Sequence, residues 1–524
     1  MSGFPFPDPG DLSPSDLAGQ LVCVALRDYA GDADERRAFL EAVERDGWGG
    51  VIVFGGDLAA VRDLLDEADR RASVPLLVTG DFERGFGQQF PSAGTAFPPL
   101  MALGAADDPV LARAVGRAVG REMRDAGFHA DFWPVADLAN EAANPIVATR
   151  AAGDDPRRVA AIVAAVVEGL QSAGVAACVK HVPGHGRTSL DSHETLPVVD
   201  ADPEALEASD FAPFRAGIDA GARLAMTAHV AFPGLEPDAV RDRPATFSRA
   251  IATGLLRGAW GFDGLVCSDA LMMGALAGLS AGESARRALA AGVDWLLYPP
   301  APARVRAELA AAIEAGEVDR SRCEEAVGRL FALKRWAGVG EPTPEPSTTR
   351  PLPLAEAVAG AALTADPDDP PAGAAWPDRA QWVVVLDGAV GIDDVVLDEV
   401  LAPDAAERMI VVDCSGEAGE ARQRLGEVTA RCERAWVACA VFNPVRAWKG
   451  RAGLSAEARA VVDAACAPAA EAVLILFSNP RIVMEVDAPS RVVWCYGEDG
   501  PSQRAAVSFL RGELPATGRL PLKI

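Results

Sequence analysis

A chain of 524 residues, half of them hydrophobic, with a net charge of −26 is too long for one ordinary core and too apolar to be disordered, so two domains are expected. The acidity argues against nucleic acid and against anionic membranes as partners, since either would be repelled. No uncharged apolar run approaches the roughly 18 residues that a membrane-spanning helix needs, and the opening MSGFPFPDPGDLSP lacks the basic and apolar regions of a secretory signal.

The first part of the chain alternates short apolar runs with amphipathic stretches. Strands are predicted at 21–26, 50–56, 74–81, 129–135, 175–181, 223–229, 264–269 and 294–298. Each is too short for a helix and apolar on both faces, as buried parallel strands are. Between them, DDPVLARAVGRAVGREMRDAG offers Asp108 as an N-cap and Pro109 at the first helical position, and its apolar residues recur every four positions. DDPRRVAAIVAAVVEGLQSAG repeats the scheme from Asp155 and Pro156 and ends at Gly174. Eight such units predict a (β/α)8 TIM-type barrel over residues 1–340, with a doubly wound open sheet as the alternative pattern.

The stretch GVGEPTPEPSTTRPLP holds five prolines and reads as an extended linker, with 341–352 as its span between the domains. Beyond it, apolar runs at 382–388, 409–416, 435–443, 472–480 and 491–497 alternate with helical segments, predicting an α/β/α sandwich over 353–524. This part contains no histidine, and no glycine-rich phosphate loop follows its strands, so no nucleotide is expected there. The nine cysteines form no CxxC pair and sit mostly in strand-like runs, the pattern of reduced thiols in a cytoplasmic protein.

Barrel enzymes place their chemistry at the carboxyl ends of strands. Polar residues stand at those ends here: Asp81 after the third strand, Lys180 and His181 at the fifth, His229 at the sixth and Asp269 at the seventh. The fifth strand leads into KHVPGHGRTSLDSHETLP, which carries three of the chain's five histidines. Three chemistries compete for that stretch. A metal site is disfavoured, because Pro183 and Gly184 prevent a helix that would align His181 with His185, and no cysteine cluster supports them. A serine or cysteine nucleophile is disfavoured, because nothing like a nucleophile elbow surrounds Cys267 and Ser268. The third chemistry is an acid/base histidine: Asp191 and His193, two apart in a loop, allow the carboxylate to hold one ring nitrogen while the other exchanges protons. Asp269, on another strand, then supplies a second carboxylate as nucleophile.

At this point the sequence resembles glycoside hydrolase family 3, in its β-N-acetylglucosaminidase branch. The resemblance rests on KHVPGHGRTSLDSHETLP together with VTGDFERGFGQQF, GTAFPPLMALGA, NPIVATRAAGDDP, AMTAHVAFPGLEPD and GFDGLVCSDALMMGAL, in the family's order, over about residues 10–338. The carboxyl-terminal part resembles the second domain of many members. The resemblance implies Asp269 as nucleophile and His193, paired with Asp191, as acid/base. It implies Asp81, Arg150, Lys180 and His181 as contacts of the sugar hydroxyls and acetamido group, and His229 at the pocket wall. His185 is expected to shape the loop. The implied substrate is an oligosaccharide or cell-wall fragment with terminal β-linked GlcNAc, cleaved with retention and without metal or cofactor. Departures occur at Ala270, where many short members have a second acidic residue, at Ala151–Ala152 after Arg150, where an aromatic is common, and at Arg84, where glycine is frequent. A family β-glucosidase, a phosphorylase acting through the histidine base, and a non-catalytic sugar-binding protein are the rival readings.

Overall fold

The computed structural model describes residues 4–27, 32–342, 350–371, 376–388, 395–414, 419–445, 451–487, 489 and 491–524. Part of the expected linker, 343–349, lies outside them. The chain divides into two compact units. The first comprises Met1–Thr95, Ala112–Asp137 and Val163–Arg350; the second comprises Ala96–Leu111, Leu138–Ile162 and Pro351–Ile524.

The first unit is a closed parallel barrel. Its strands are β1 (Val22–Arg27), β2 (Gly50–Phe54), β3 (Leu77–Gly80), β4 (Ala130–Asp131), β5 (Ala176–Val182), β6 (Leu224–Thr227), β7 (Leu265–Ser268) and β8 (Leu296–Leu297). They pair in sequence order, β1 also pairs β8, and a bridge from Cys267 to Trp295 joins the two remaining edges. The eight-unit barrel expected from the alternation is therefore the one formed, and the open sheet is not. Strand β4 is much shorter than the predicted 129–135: Pro134 has no N–H to give to a ladder, and the next bridge is Val135 to Lys180.

The period of two along a strand determines what reaches the barrel axis. Ala176 and Cys178 of β5, and Leu265 and Cys267 of β7, lie in the interior core with Trp295 and Leu77. Continuing the same parity arrives at Lys180 within β5 and at Asp269 and Asp81 one residue past β7 and β3. The apolar core thus passes directly into a polar rim.

The predicted caps form as the residues dictate. Asp108 accepts the N–H groups of Val110 and Leu111 ahead of helix Pro109–Asp125, and Asp155 does the same for Arg157 and Arg158 ahead of helix Pro156–Ser172. At the opposite end of the barrel, Asp294 is fully buried and receives Arg257, Arg322 and Arg329 together with the Val266 N–H.

The second unit contains β9 (Thr364–Asp366), β10 (Gln381–Leu386), β11 (Ile410–Asp413), β12 (Trp436–Asn443), β13 (Glu471–Ser478) and β14 (Arg491–Trp494). The order is β11-β10-β12-β13-β14-β9, parallel throughout except for β9, which runs antiparallel to β14. Alternate residues of β10, Trp382 and Val384 against Val383 and Val385, are buried on opposite faces. That double burial is what a sheet sandwiched between helix layers requires. Residues 96–111 belong here because helix Leu100–Ala106 packs on helix Leu352–Ala362.

Candidate active site

The rim of the barrel is built from four loops. After β3, Asp81 and Glu83 both reach the Lys180 ammonium, which lies 2.7 Å from Asp81 Oδ1 and 2.6 Å from Glu83 Oε1. Lys180 is nearly inaccessible whereas Asp81 is partly open, so the lysine holds the acids in place from beneath. Asp131, at the end of β4, accepts the Phe82 N–H, and burial pushes its carboxyl well above the usual range.

His181 ends β5 on the opposite parity to Lys180. Its Nδ1 donates to Asp137 Oδ2 at 2.7 Å, and the same carboxylate accepts the backbone N–H groups of His181 and His185. Burial alone would raise Asp137, but the adjoining His181 ring and these donors hold it below the ordinary carboxylate range. His185 turns inward. Its ring nitrogens pair with the hydroxyls of Thr188 and Ser192, each at 2.9 Å, and burial lowers it to about 4. It shapes the loop, as expected.

That loop delivers the dyad. His193 Nδ1 donates to Asp191 Oδ1 at 2.8 Å, and the His193 backbone N–H reaches the same oxygen. Asp191 is almost completely enclosed, whereas the His193 side chain keeps 18% of its surface accessible. A buried carboxylate thus orients an accessible ring, leaving Nε2 directed away from its partner.

Asp269 follows β7. Its backbone N–H donates to Thr227 O, and its Oδ1 accepts the Ala270 N–H at 2.7 Å. Enclosure by itself would raise the carboxyl. The charges of His181 and His229, the Ala270 N–H and the charge of His193 outweigh it and hold Asp269 at about 2. The carboxylate form is thereby favoured.

His229 has no accessible surface. Its Nε2 donates to Ala270 O at 3.2 Å and its Nδ1 meets the Thr246 hydroxyl at 2.8 Å. Both nitrogens are engaged within the protein. Arg150 closes the short turn Ala148–Arg150 in the segment grouped with the second unit, where its Nη1 donates to Ile146 O at 3.1 Å. The structure therefore brings Asp81, Lys180, His181, Asp191, His193, His229 and Asp269 to the strand ends of one barrel.

Three site residues were not anticipated: Glu83, Asp131 and Asp137. Glu83 was visible as a second acid two residues past Asp81. Asp137 lies two residues beyond the predicted end of the fourth strand, where polar strand-end residues were being sought in the other strands. Among the described residues no group of three or more His, Cys, Asp or Glu side chains is arranged to hold a metal ion.

A carboxylate and a carboxylate-held histidine stand together at the carboxyl ends of the strands of a (β/α)8 barrel, where barrel enzymes place their chemistry. Residues 16–333 match the family model described as the glycosyl hydrolase family 3 N-terminal domain, and the chain belongs to that family of glycoside hydrolases. A β-hexosaminidase of Thiobacillus denitrificans is 35% identical over 358 residues, covering 63% of this chain and 94% of the relative. A β-hexosaminidase of Chromobacterium violaceum is 38% identical over 275 residues, covering 50% of this chain and 75% of its own. The solved family 3 β-N-acetylglucosaminidase of Paenibacillus sp. str. FPU-7 is 28% identical, superposes with a TM-score of 0.83, and is covered to 99% by 98% of this chain.

Proposed function

We propose that this chain is a retaining exo-acting β-N-acetylglucosaminidase that removes terminal β-linked GlcNAc from oligosaccharides or cell-wall fragments. The observation that carries the proposal is the Asp191–His193 pair, held at 2.8 Å on the loop after β5, on the same barrel face as an anionic Asp269. The similarity to two β-hexosaminidases and to a β-N-acetylglucosaminidase supports the choice of sugar.

In the first step an Asp269 carboxylate oxygen attacks the anomeric carbon as the bond to the leaving oxygen breaks, and His193 Nε2 gives that oxygen its proton. In the second step neutral His193 takes a proton from water while the water oxygen attacks the same carbon, releasing Asp269 and restoring the imidazolium. Asp191 keeps Nδ1 as the donor side of the ring throughout, so that Nε2 is the nitrogen that exchanges protons. Asp81, Lys180, His181 and Arg150 are assigned to the sugar, where charged partners discriminate hydroxyl positions strongly. His229 is assigned to the Ala270 carbonyl, as a positioning residue for Asp269.

A histidine base, unlike a carboxylate, does not repel phosphate, so phosphorolysis is the second reading. Nine unpaired cysteines support a reducing compartment and, with it, recycled wall fragments as natural substrate. No described helix is long and apolar enough to cross a membrane. The test is the initial rate on 4-nitrophenyl β-glycosides of N-acetylglucosamine and glucose, each with and without phosphate. Preference for the acetamido sugar without phosphate acceleration is expected. Sugar-1-phosphate as product selects the second reading, and no turnover of either glycoside contradicts both.

A further inference from the structure

The two catalytic loops of this reading leave strands that are not neighbours, since β6 lies between β5 and β7. Something must nevertheless fix the distance between His193 and Asp269, because a proton donor displaced by about 1 Å can cost on the order of a hundredfold in rate. The loop after β7 is tied at its root to β6 and β8: Asp269 N–H donates to Thr227 O at 3.2 Å and Leu271 N–H to Leu297 O at 2.9 Å. Five residues past Asp269 that loop meets the dyad loop backbone to backbone. Gly274 N–H donates to the His193 carbonyl at 2.9 Å, and Ala275 N–H donates to the Ser192 carbonyl at 3.2 Å.

The approach is too close for a side chain. A Cβ on Gly274 would lie 2.5 Å from His193 O and 2.8 Å from Glu194 O, and both obstacles are main-chain atoms that move only if the loop moves. Gly278, four residues on, has nothing within 4 Å of the corresponding position. The demand for glycine at 274 is thus set by the His193 loop and not by the turn in which it sits. Neither contact touches Nδ1, Nε2 or a carboxylate oxygen, so the effect on chemistry passes entirely through where the ring stands.

We infer that Gly274 is a positioning residue: its main chain docks the His193 loop onto the Asp269 loop and so sets the reach of the proton donor to the leaving oxygen. The inference rests on His193 being the acid/base. A displaced donor harms substrates that need protonation and spares those that do not.

The test compares alkyl and 2,4-dinitrophenyl N-acetyl-β-glucosaminides on four full-length enzymes: wild type, Gly274→Ala, Gly278→Ala and His193→Ala. For Gly274→Ala, kcat/KM is expected to fall ~10–100-fold on the alkyl glycoside and by less than ~3-fold on the dinitrophenyl one, while Gly278→Ala stays within about twofold on both. If Gly274→Ala does not fold, Ala275→Pro carries the same expectation, since it removes the N–H to Ser192 at a position in the first turn that tolerates proline. Equal losses on the two substrates, or none, beside a discriminating His193→Ala would overturn this inference alone. A His193→Ala enzyme that slows both substrates alike would overturn the acid/base reading, and the role of Gly274 with it.

Discussion

His229 Nε2 donates to the carbonyl of Ala270, the residue next to Asp269, at 3.2 Å. The other ring nitrogen is held by Thr246, and burial lowers the ring's affinity for a proton, so His229 is a buried ring fixed at both nitrogens beside the proposed nucleophile. His229→Phe keeps the ring volume and loses both hydrogen bonds, leaving the Ala270 carbonyl unsatisfied. The expected result is a ~10–100-fold loss of kcat/KM, corresponding to about 1–3 kcal/mol. The loss should be equal for good and poor leaving groups, because His229 bears on the position of Asp269 and not on protonation of the leaving oxygen. A loss confined to poor leaving groups would place His229 on the proton-transfer side instead.

Asp269→Ala should reduce kcat by at least ~10³-fold with the protein still folded, as loss of a covalent nucleophile does. The ionisation of this carboxyl makes a second prediction. With its carboxyl held at about 2, Asp269 contributes stability that is present above the ordinary value near 3.8 and is lost as pH falls through about 2. For the dinitrophenyl glycoside, which needs no proton, kcat/KM should therefore be flat from about pH 8 down to about pH 5. An acid limb in that interval would mean that the nucleophile titrates there.

Asp294 receives three guanidinium groups and the Val266 N–H with no surface exposed. Removing one partner from a buried charge cluster leaves the others uncompensated. Asp294→Ala should cost on the order of 3–5 kcal/mol, seen as a lowered thermal midpoint of the barrel. A midpoint within a degree or two of wild type would contradict that accounting.

Burial raises the Asp69 carboxyl to about 6, although it accepts the Leu76 N–H at 3.0 Å. A carboxyl raised in the folded state contributes stability that is complete below its unfolded value near 3.8 and is lost as pH rises through about 6. Asp69→Asn can keep the bond from Leu76 and abolish the titration. The variant should match wild type near pH 4 and exceed it at pH 8, by on the order of 3 kcal/mol. Chemical denaturation at the two pH values measures the difference, and a variant weaker at pH 8 would reverse the sign.

Much of this architecture was legible because burial writes itself into short apolar runs. Six of the eight barrel strands lie within two residues of their predicted runs at both ends, since runs such as LVCVAL can be satisfied only with both faces covered. The caps at Asp108 and Asp155 were legible for the same local reason. What was not legible is set by contacts distant in sequence. Strand β9 was missed because Thr364–Asp366 is three residues long and pairs only antiparallel with β14. The grouping of residues 96–111 with the second unit depends on helix Leu352–Ala362, some 250 positions away. Within the site, Asp191 and His193 declared their pairing by lying two apart, whereas Asp137 and His181 stand 44 positions apart and their bond of 2.7 Å was hidden. His229 carried the right residue type at the right strand end, but only the fold shows that its two nitrogens are already engaged.

The measurement that bears most directly on the central claim is the trapping of a covalent intermediate. A 5-fluoro N-acetylglucosaminyl fluoride, which forms the glycosyl-enzyme faster than water resolves it, is incubated with the full chain, and the labelled peptide is sequenced. Double displacement through Asp269 predicts one sugar adduct per chain, on Asp269, and release of the β-anomer from ordinary substrate. A label on another carboxylate would contradict the assignment of the nucleophile, and an α-anomeric product without any label would contradict retention itself.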